Sequence, residues 1–430
     1  MMQYETIPES IYYFIGNRNQ IPIGNIRELI RGLQEYGPCE KAHLKYQRIG
    51  ILYLNNSMWD GKIAEVKREI ISKFQRFWHL SGLNIDDFVY DSADLSTLQE
   101  KVNEAIGHGL DGIIVTLPGD MALVYYRLKA YLINSNIPSQ FIRYDKLLHG
   151  NIRFYTDNLV VQLFSKLGGS PWVLSMDPEK GSDIIIGTGA TRIGRENLFC
   201  FAMIFRKDGT MMWNEISPIV RKEEYLRHLK EIIIKAVKGF KQENPDWQVA
   251  KLTLHVSSKR PKISGGETEI LESTIEELKG QNLISENVKF SILHINETHP
   301  YWLMGDPNNR HHPYEGIKVK LSSKRYLITL SQPQQGRYEP TIPIPIKPLS
   351  VEIVKHNWIE EDFYQCSKEV IDEVYFLSKM NWRGFRGRNL PVTVNYPKLV
   401  ARIIANINSY GGPQINTEGN RQLQISPWFL

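Results

Sequence analysis

Between residues 48 and 169, short apolar segments of β-type residues alternate with longer charge-bearing segments of helical period. No other feature of the chain limits the fold as much. The apolar segments are Ile49–Leu54, Phe88–Tyr90, Gly112–Leu117 and Gln140–Tyr144. Between and after them lie Gly61–Leu80, Leu95–Ile106, Met121–Ser135 and Tyr155–Leu167. Short polar connections, at 117–120 and 148–150, join them as βα units require. The pattern predicts a parallel sheet covered by helices, a Rossmann-like α/β domain.

A cluster of chain breakers at 168–171 marks a boundary. Beyond it come four strands without intervening helices: Val173–Met176, Asp183–Ala190, Leu198–Arg206 and Met211–Ile216. A Lys- and Glu-rich helix, Glu223–Lys241, stops before Pro245. Strand Lys251–Val256, helix Glu267–Gly280 and strand Val288–Ile295 continue the series. Adjacent strands followed by alternation fit an RNase H-like mixed sheet, though pattern alone admits other α/β layouts. Gly305–Gly316 and Ser331–Pro345 read as exposed loops. Helix Glu360–Lys379 then precedes a basic turn carrying Arg383, Arg386 and Arg388, and a last helix covers Tyr396–Ile407.

At 430 residues, two domains are expected. No apolar run approaches the roughly 18 residues of a membrane span, and the N-terminus carries no secretory pattern. Cys39, Cys200 and Cys366 are odd in number and widely spaced, which argues against a disulfide framework or a CxxC zinc site. A cytoplasmic location is the expectation. The net charge of +5 permits nucleic-acid binding without demanding it.

Two helical segments carry polar residues in register. Tyr125 and Lys129 are spaced i,i+4, and Asn158, Gln162 and Lys166 are spaced i,i+4,i+8 on an otherwise apolar segment. Spacing leaves two accounts open. The lysines sit at the solvent edge, or these groups converge as an anion site with many donors for a phosphate. Gly187, Gly189 and Arg192 imitate a dinucleotide-binding loop, but Arg stands where the third Gly belongs and no helix follows. His311 and His312, even with His299, lack the spacing of a metal site.

The segments YYRLKAYLIN, IPSQFIRYD and DNLVVQLFSKLGG resemble the MID domain of Argonaute proteins of the short prokaryotic (archaeal Piwi) type. The resemblance runs on through SDIIIGTGATRI, LHVSSKRPK, KPLSVEIV, KMNWRGFR, LPVTVNYPKLVA and the terminal PWFL. It implies a Rossmann-like MID domain at 38–168, an RNase H-like PIWI domain at 169–430, and residues 1–37 as an extra segment on the PIWI side. It further implies a pocket for the 5′-phosphate of a guide strand at Tyr125, Lys129, Gln140 and Lys166. Asn158, Arg383 and Arg143 would contact the guide backbone. A divalent cation, Mg²⁺ or another such as Mn²⁺, would be held by Gln162 and the terminal carboxylate of Leu430. Trp382 and Phe385 read as core. The partners implied are a guide and its complementary target, with a homodimer, through the Gly305–Gly316 region, or a separate protein supplying missing domains left open.

Slicing members of that family hold two metal ions with acidic residues. The matching positions here are Gly189, Ser257 and Lys398, so no catalytic residue is assigned and the PIWI domain is expected not to cut. Two alternatives stand beside this one. One is a divergent Mg²⁺-dependent nuclease using Asp177 or Asp183. The other is a small-molecule-binding α/β protein in which the lysine face is incidental.

Overall fold

The computed structural model describes residues 4–7, 12–23, 26–41, 47–149, 151–177, 179–193, 197–257, 266–305, 313–330, 345–385, 390–415 and 420–430. His311, His312, Arg386 and Arg388 lie outside the described residues, as does most of the two expected loops. The chain divides into two compact units, each assembled from separated stretches. One comprises Tyr12–Val173, Trp382–Arg386 and Leu399–Leu430; the other comprises Met1–Ile11, Leu174–Asn381 and Gly387–Lys398. The sequence had suggested a single cut near residue 168. Among the described residues of the first 37, the strand Tyr4–Thr6 joins the second unit's sheet, and Tyr12–Tyr36 belongs to the first unit.

The first unit is built on four parallel strands in the order Leu83–Tyr90, Gln47–Leu54, Gly112–Leu117, Ser139–Arg143. Gly112–Leu117 is buried at every position, as an inner strand covered on both faces must be. Leu83–Tyr90 is an outer strand, and Asn84, Asp86 and Asp87 break its apolar pattern, so only its last three residues were legible beforehand. The fourth strand ends at Arg143, and a short helix, Tyr144–His149, follows where a polar connection was expected. Tyr144 is turned inward instead: its hydroxyl accepts from the Leu54 amide (2.7 Å) and the Thr116 hydroxyl (3.0 Å), and its ring stacks on Trp59. Helices Ala122–Asn134 and Ile152–Lys166 fall within a few residues of expectation.

A nine-stranded mixed sheet forms the second unit. Ile184–Ile193, Asn197–Arg206 and Met211–Arg221 are antiparallel neighbours, and Lys251–Val256 lies parallel to both Ile184–Ile193 and Lys289–Asn296. Adjacent strands first and crossover strands after them give the expected RNase H-like arrangement. Helix Tyr225–Glu243 buries Tyr225, Leu229, Ile232, Ile233, Ala236, Val237 and Phe240, one continuous stripe against the sheet. Four strands were not foreseen. Tyr4–Thr6, Ile317–Lys320, Arg325–Ile328 and Leu349–His356 extend one side of the sheet; the first three are only three or four residues long, whereas the eight-residue Leu349–His356 alternates at its start and was passed over.

At the opposite ends of the parallel strands sits a buried carboxyl. Glu373, on helix Phe363–Leu377, accepts from the Ser182 amide (2.9 Å) and hydroxyl (3.0 Å), and that hydroxyl continues to Thr253 and Ser291. Burial raises the Glu373 carboxyl from its ordinary 4.5 to about 7. The folded state therefore holds a proton the unfolded state has released between those values, and stability falls as pH rises through that window. The effect is on the order of 3 kcal/mol at full size. Glu373→Gln is expected to flatten this dependence, so that urea midpoints at about pH 5 and about pH 8 differ less in the variant than in the parent. Parallel pH curves for the two proteins would contradict it.

Candidate functional site

In the first unit two lysines compete for one acceptor. Lys129 reaches down from helix Ala122–Asn134, and Lys166 closes helix Ile152–Lys166; they are 3% and 2% exposed. Both donate to the Ser139 carbonyl, at 3.2 and 2.8 Å. Ser139 opens the outermost strand of its sheet, which leaves this carbonyl on an edge no further strand occupies. Lys129 also donates to the Ser139 hydroxyl (3.0 Å) and to the Trp428 carbonyl (3.2 Å), tying the C-terminal segment to the sheet. Neither lysine has a carboxylate within ion-pair distance among the described residues. Burial pushes the Lys129 ammonium down to about 7. Lys166 lies well below its usual range, through burial first and then through Lys129 and Arg383.

An amide relay leads outward from Lys166. Its Nζ donates to Gln140 Oε1 at 2.7 Å. Gln140 Nε2 is then left to donate to Gln162 Oε1 (3.3 Å), and Gln162 Nε2 donates to the Arg383 carbonyl (2.8 Å).

These groups line a cavity of about 400 Å³. Six basic side chains border it (Lys129, Arg143, Lys146, Lys166, Arg383 and Arg402) against one acidic side chain, Asp120. Tyr125 forms one wall, edge-on to Phe141 and Tyr126 (4.7 Å to each), with its hydroxyl pushed up to about 12 by burial. Gly119 shapes the rim at φ +57°, a left-handed conformation that glycine adopts without strain. A concave, strongly cationic space with several converging donors suits a small, highly charged anion.

Eight of the nine residues singled out from the sequence border this space: Tyr125, Lys129, Gln140, Arg143, Gln162, Lys166, Arg383 and Leu430. Arg143 stands at the rim and is chelated by Asp145 through two bonds of 2.9 and 2.8 Å, so its charge is already balanced. Asn158 is the exception. It does not border the cavity; its Oδ1 faces the turn after Arg383, 3.4 Å from the Phe385 amide. Eight residues of helix separate it from Lys166, which is about 12 Å of rise and an offset of about 80° around the axis. Lys146, Tyr155 and Arg402 also line the space and were not anticipated. Trp382 and Phe385 are core: Trp382 Nε1 donates to the Trp172 carbonyl (3.0 Å), and Phe385 stacks on Trp172.

The remaining sequence candidates lie in the second unit. A Cβ built on Gly189 would stand 3.3 Å from Ser257 Oγ and 3.2 Å from the Phe201 ring, so Gly189 and Ser257 are neighbours. Lys398 is ion-paired with Glu297. Asp183 spends one oxygen on the Ala250 and Lys251 amides (2.7 and 2.8 Å). Asp177 is exposed and engages Lys180 and the Glu179 amide. Among the described residues no cluster of three or more His, Cys, Asp or Glu side chains could hold a metal ion. No described helix is long and apolar enough to cross a membrane.

Fold and site together define a MID–PIWI arrangement. Residues 112–409 match the Piwi domain family model. The chain is 60% identical to the Piwi protein of Archaeoglobus fulgidus over all 430 residues, with both chains fully covered. It is 21% identical to the Protein argonaute of Cereibacter sphaeroides, covering 93% of this chain and 56% of that one. Its fold matches the crystal structure of Drosophila Piwi at a TM-score of 0.76 and 14% identity, covering 100% of this chain and 56% of that one. Clostridium butyricum Argonaute, solved bound to a guide DNA and a 19-mer target DNA, matches at 0.68 and 17% identity, covering 94% and 53%. The chain thus spans little more than half the length of these solved structures. It belongs to the Argonaute/Piwi family.

The contact between Asn158 and the Arg383 turn can be tested directly. A Cβ at Gly384 would lie 2.2 Å from Asn158 Oδ1 and 2.8 Å from its Cγ, but 3.5 Å from its Cβ. Gly384→Ala is expected to destabilise the protein by about 1–3 kcal/mol, as overpacking does. Adding Asn158→Ala removes the two obstructing atoms and should restore most of that loss in a thermal melt. Additive damage in the double variant would show that Asn158 does not set this turn.

Proposed function

We propose that this protein anchors the 5′-phosphorylated end of a nucleic-acid guide strand in the cationic cavity and pairs that strand with a complementary target without cutting it. The observation that carries this reading is the pair of buried lysines sharing the Ser139 carbonyl with no carboxylate partner. Buried ammonium groups are ordinarily matched by an acid. Here the missing counter-charge is supplied by the ligand, and a terminal phosphate bears close to two negative charges. Gln140 and the Tyr125 hydroxyl add neutral hydrogen-bonding groups, and Arg383 and Lys146 add charge toward a following phosphate. The Tyr125 ring offers a face on which the first base can stack. Sequence discrimination is left to base pairing.

A divalent cation fits the donor set. Gln162 Oε1 and the Leu430 carboxylate are hard oxygen donors, and Gln162 Oε1 is engaged only by a long 3.3 Å bond from Gln140. These two residues would hold Mg²⁺ or Mn²⁺, which supplies positive charge between guide phosphates. In this reading the rest of the guide is left to a second copy of the chain or to a separate protein.

The reading without cutting rests on Gly189, Ser257 and Lys398. None is an acid, and a lysine opposes rather than attracts a metal ion. Asp183, just before strand Ile184–Ile193, has one carboxylate oxygen committed to two backbone amides.

The test is binding of one short strand carrying either a 5′-phosphate or a 5′-hydroxyl, at fixed salt, because backbone contacts make affinity salt-dependent. The phosphorylated strand should bind more tightly. Lys129→Ala or Lys166→Ala should each cost roughly 1.5–3 kcal/mol, about tenfold to a hundredfold, on that strand alone. Equal binding of both strands would remove the reading. A Mg²⁺-dependent cleavage product lost in Asp183→Ala would replace it with the nuclease alternative.

A further inference from the structure

We infer that the cavity takes up protons from solvent when it closes on a terminal phosphate, so that guide loading is favoured at neutral pH and released toward alkaline pH. This rests on the guide-end reading above and adds its regulation.

The geometry sets the requirement. Two ammonium groups, each at least 97% buried, are drawn to within hydrogen-bond distance of a single carbonyl. Their remaining acceptors are neutral: the Ser139 hydroxyl, the Trp428 carbonyl and Gln140 Oε1. Like charges so placed, without a counter-charge, cannot both be held. Burial accordingly brings Lys129 down to about 7, and burial with the neighbouring Lys129 and Arg383 holds Lys166 well below its usual range. Near pH 8 the ligand-free cavity therefore carries less charge than its lysine count suggests, and the two sites titrate as a coupled pair.

The other groups facing the lysines cannot take over the proton exchange. Arg383, Arg143 and Arg402 stay charged at any accessible pH, and Tyr125 and Tyr155, both pushed up to about 12 by burial, stay neutral. Lys146 stands at the exposed rim. The two acids, Asp120 and the chain-terminal carboxylate of Leu430, border the cavity without pairing with either buried lysine. A phosphate monoester has its second pKa near 6, so at about pH 8 it arrives already as a dianion and has no proton to give up. Its two charges restore both ammonium groups, and the protons come from the buffer.

The measurement is calorimetric titration of the full chain at about pH 8 with the 5′-phosphate and the 5′-hydroxyl strand. It is run in two buffers of different ionisation heat, once in chelator and once in Mg²⁺ so that metal-linked protons are counted separately. The phosphorylated strand is expected to take up between about one and two protons more than its control. Its affinity should then fall about tenfold per pH unit for each proton. Lys129→Met, which keeps the volume, should reduce the uptake by about one proton. A preserved phosphate preference with equal proton counts for the two strands would overturn this inference and leave the guide-end reading intact. Undiminished uptake in a double variant with both lysines changed to Met would overturn it as well. Loss of the phosphate preference itself in the parent protein would sink the underlying reading.

Discussion

The Ser139 carbonyl is the point on which the site depends. It is available because its strand lies at the edge of the four-stranded sheet, and it orients two ammonium groups at once. Each lysine arrives from a different helix, and Lys129 brings the C-terminal segment with it through Trp428. Two lysine side chains buried without a counter-charge are a cost to folding, met by the packing of helices Ala122–Asn134 and Ile152–Lys166 on the sheet. The unfavourable arrangement makes the cavity selective. A neutral or weakly charged ligand gives the lysines nothing that water does not, whereas a dianion favours the charged form of both.

The second unit shows the opposite treatment of charge. At the carboxyl ends of its parallel strands, Gly189 and Ser257 offer no acid, and the charge on Lys398 is met by Glu297. Both members of that pair are more than a third exposed, so it contributes little to stability. The first unit thus keeps two buried lysines of its cavity without a carboxylate, whereas the second meets Lys398 with Glu297. Under the proposed function, binding chemistry is concentrated in the first unit, and the second serves as a scaffold with no chemical step of its own.

How much was legible beforehand follows from what each feature depends on. Helical period placed the two lysine-bearing helices to within a few residues, and i,i+4 spacing put Tyr125 and Lys129 on one face. The acceptor between the lysines was not legible, because it is a backbone carbonyl and no residue type announces it. Lys146 and Arg402 were missed for a related reason: an exposed cation beside a cavity has the same local sequence as one facing bulk water. Asn158, expected on the guide backbone beside the pocket, does not line the cavity. Each step of four residues advances about 40° beyond a full turn, so the second step carries a side chain off the face. Tyr4–Thr6, Ile317–Lys320 and Arg325–Ile328 on the far side of the large sheet carry too few residues to display a period of two, and their pairing is a property of the sheet.

The site's unit is assembled from three stretches of chain, and the bond from Lys129 to Trp428 closes a loop of 299 residues. Contacts of such long range form late in folding, since the entropy of closing the loop must be met before the contact contributes anything. The four-stranded sheet has local βα connections and can take shape early, whereas the pocket it frames becomes competent only when the distant segment returns. The cavity is therefore not portable. Residues 38–168, moved by recombination into another chain, would carry both lysines and the Ser139 carbonyl but would leave behind the Trp428 carbonyl, Arg383 and Arg402. Inheritance of this site is inheritance of all three stretches of its unit.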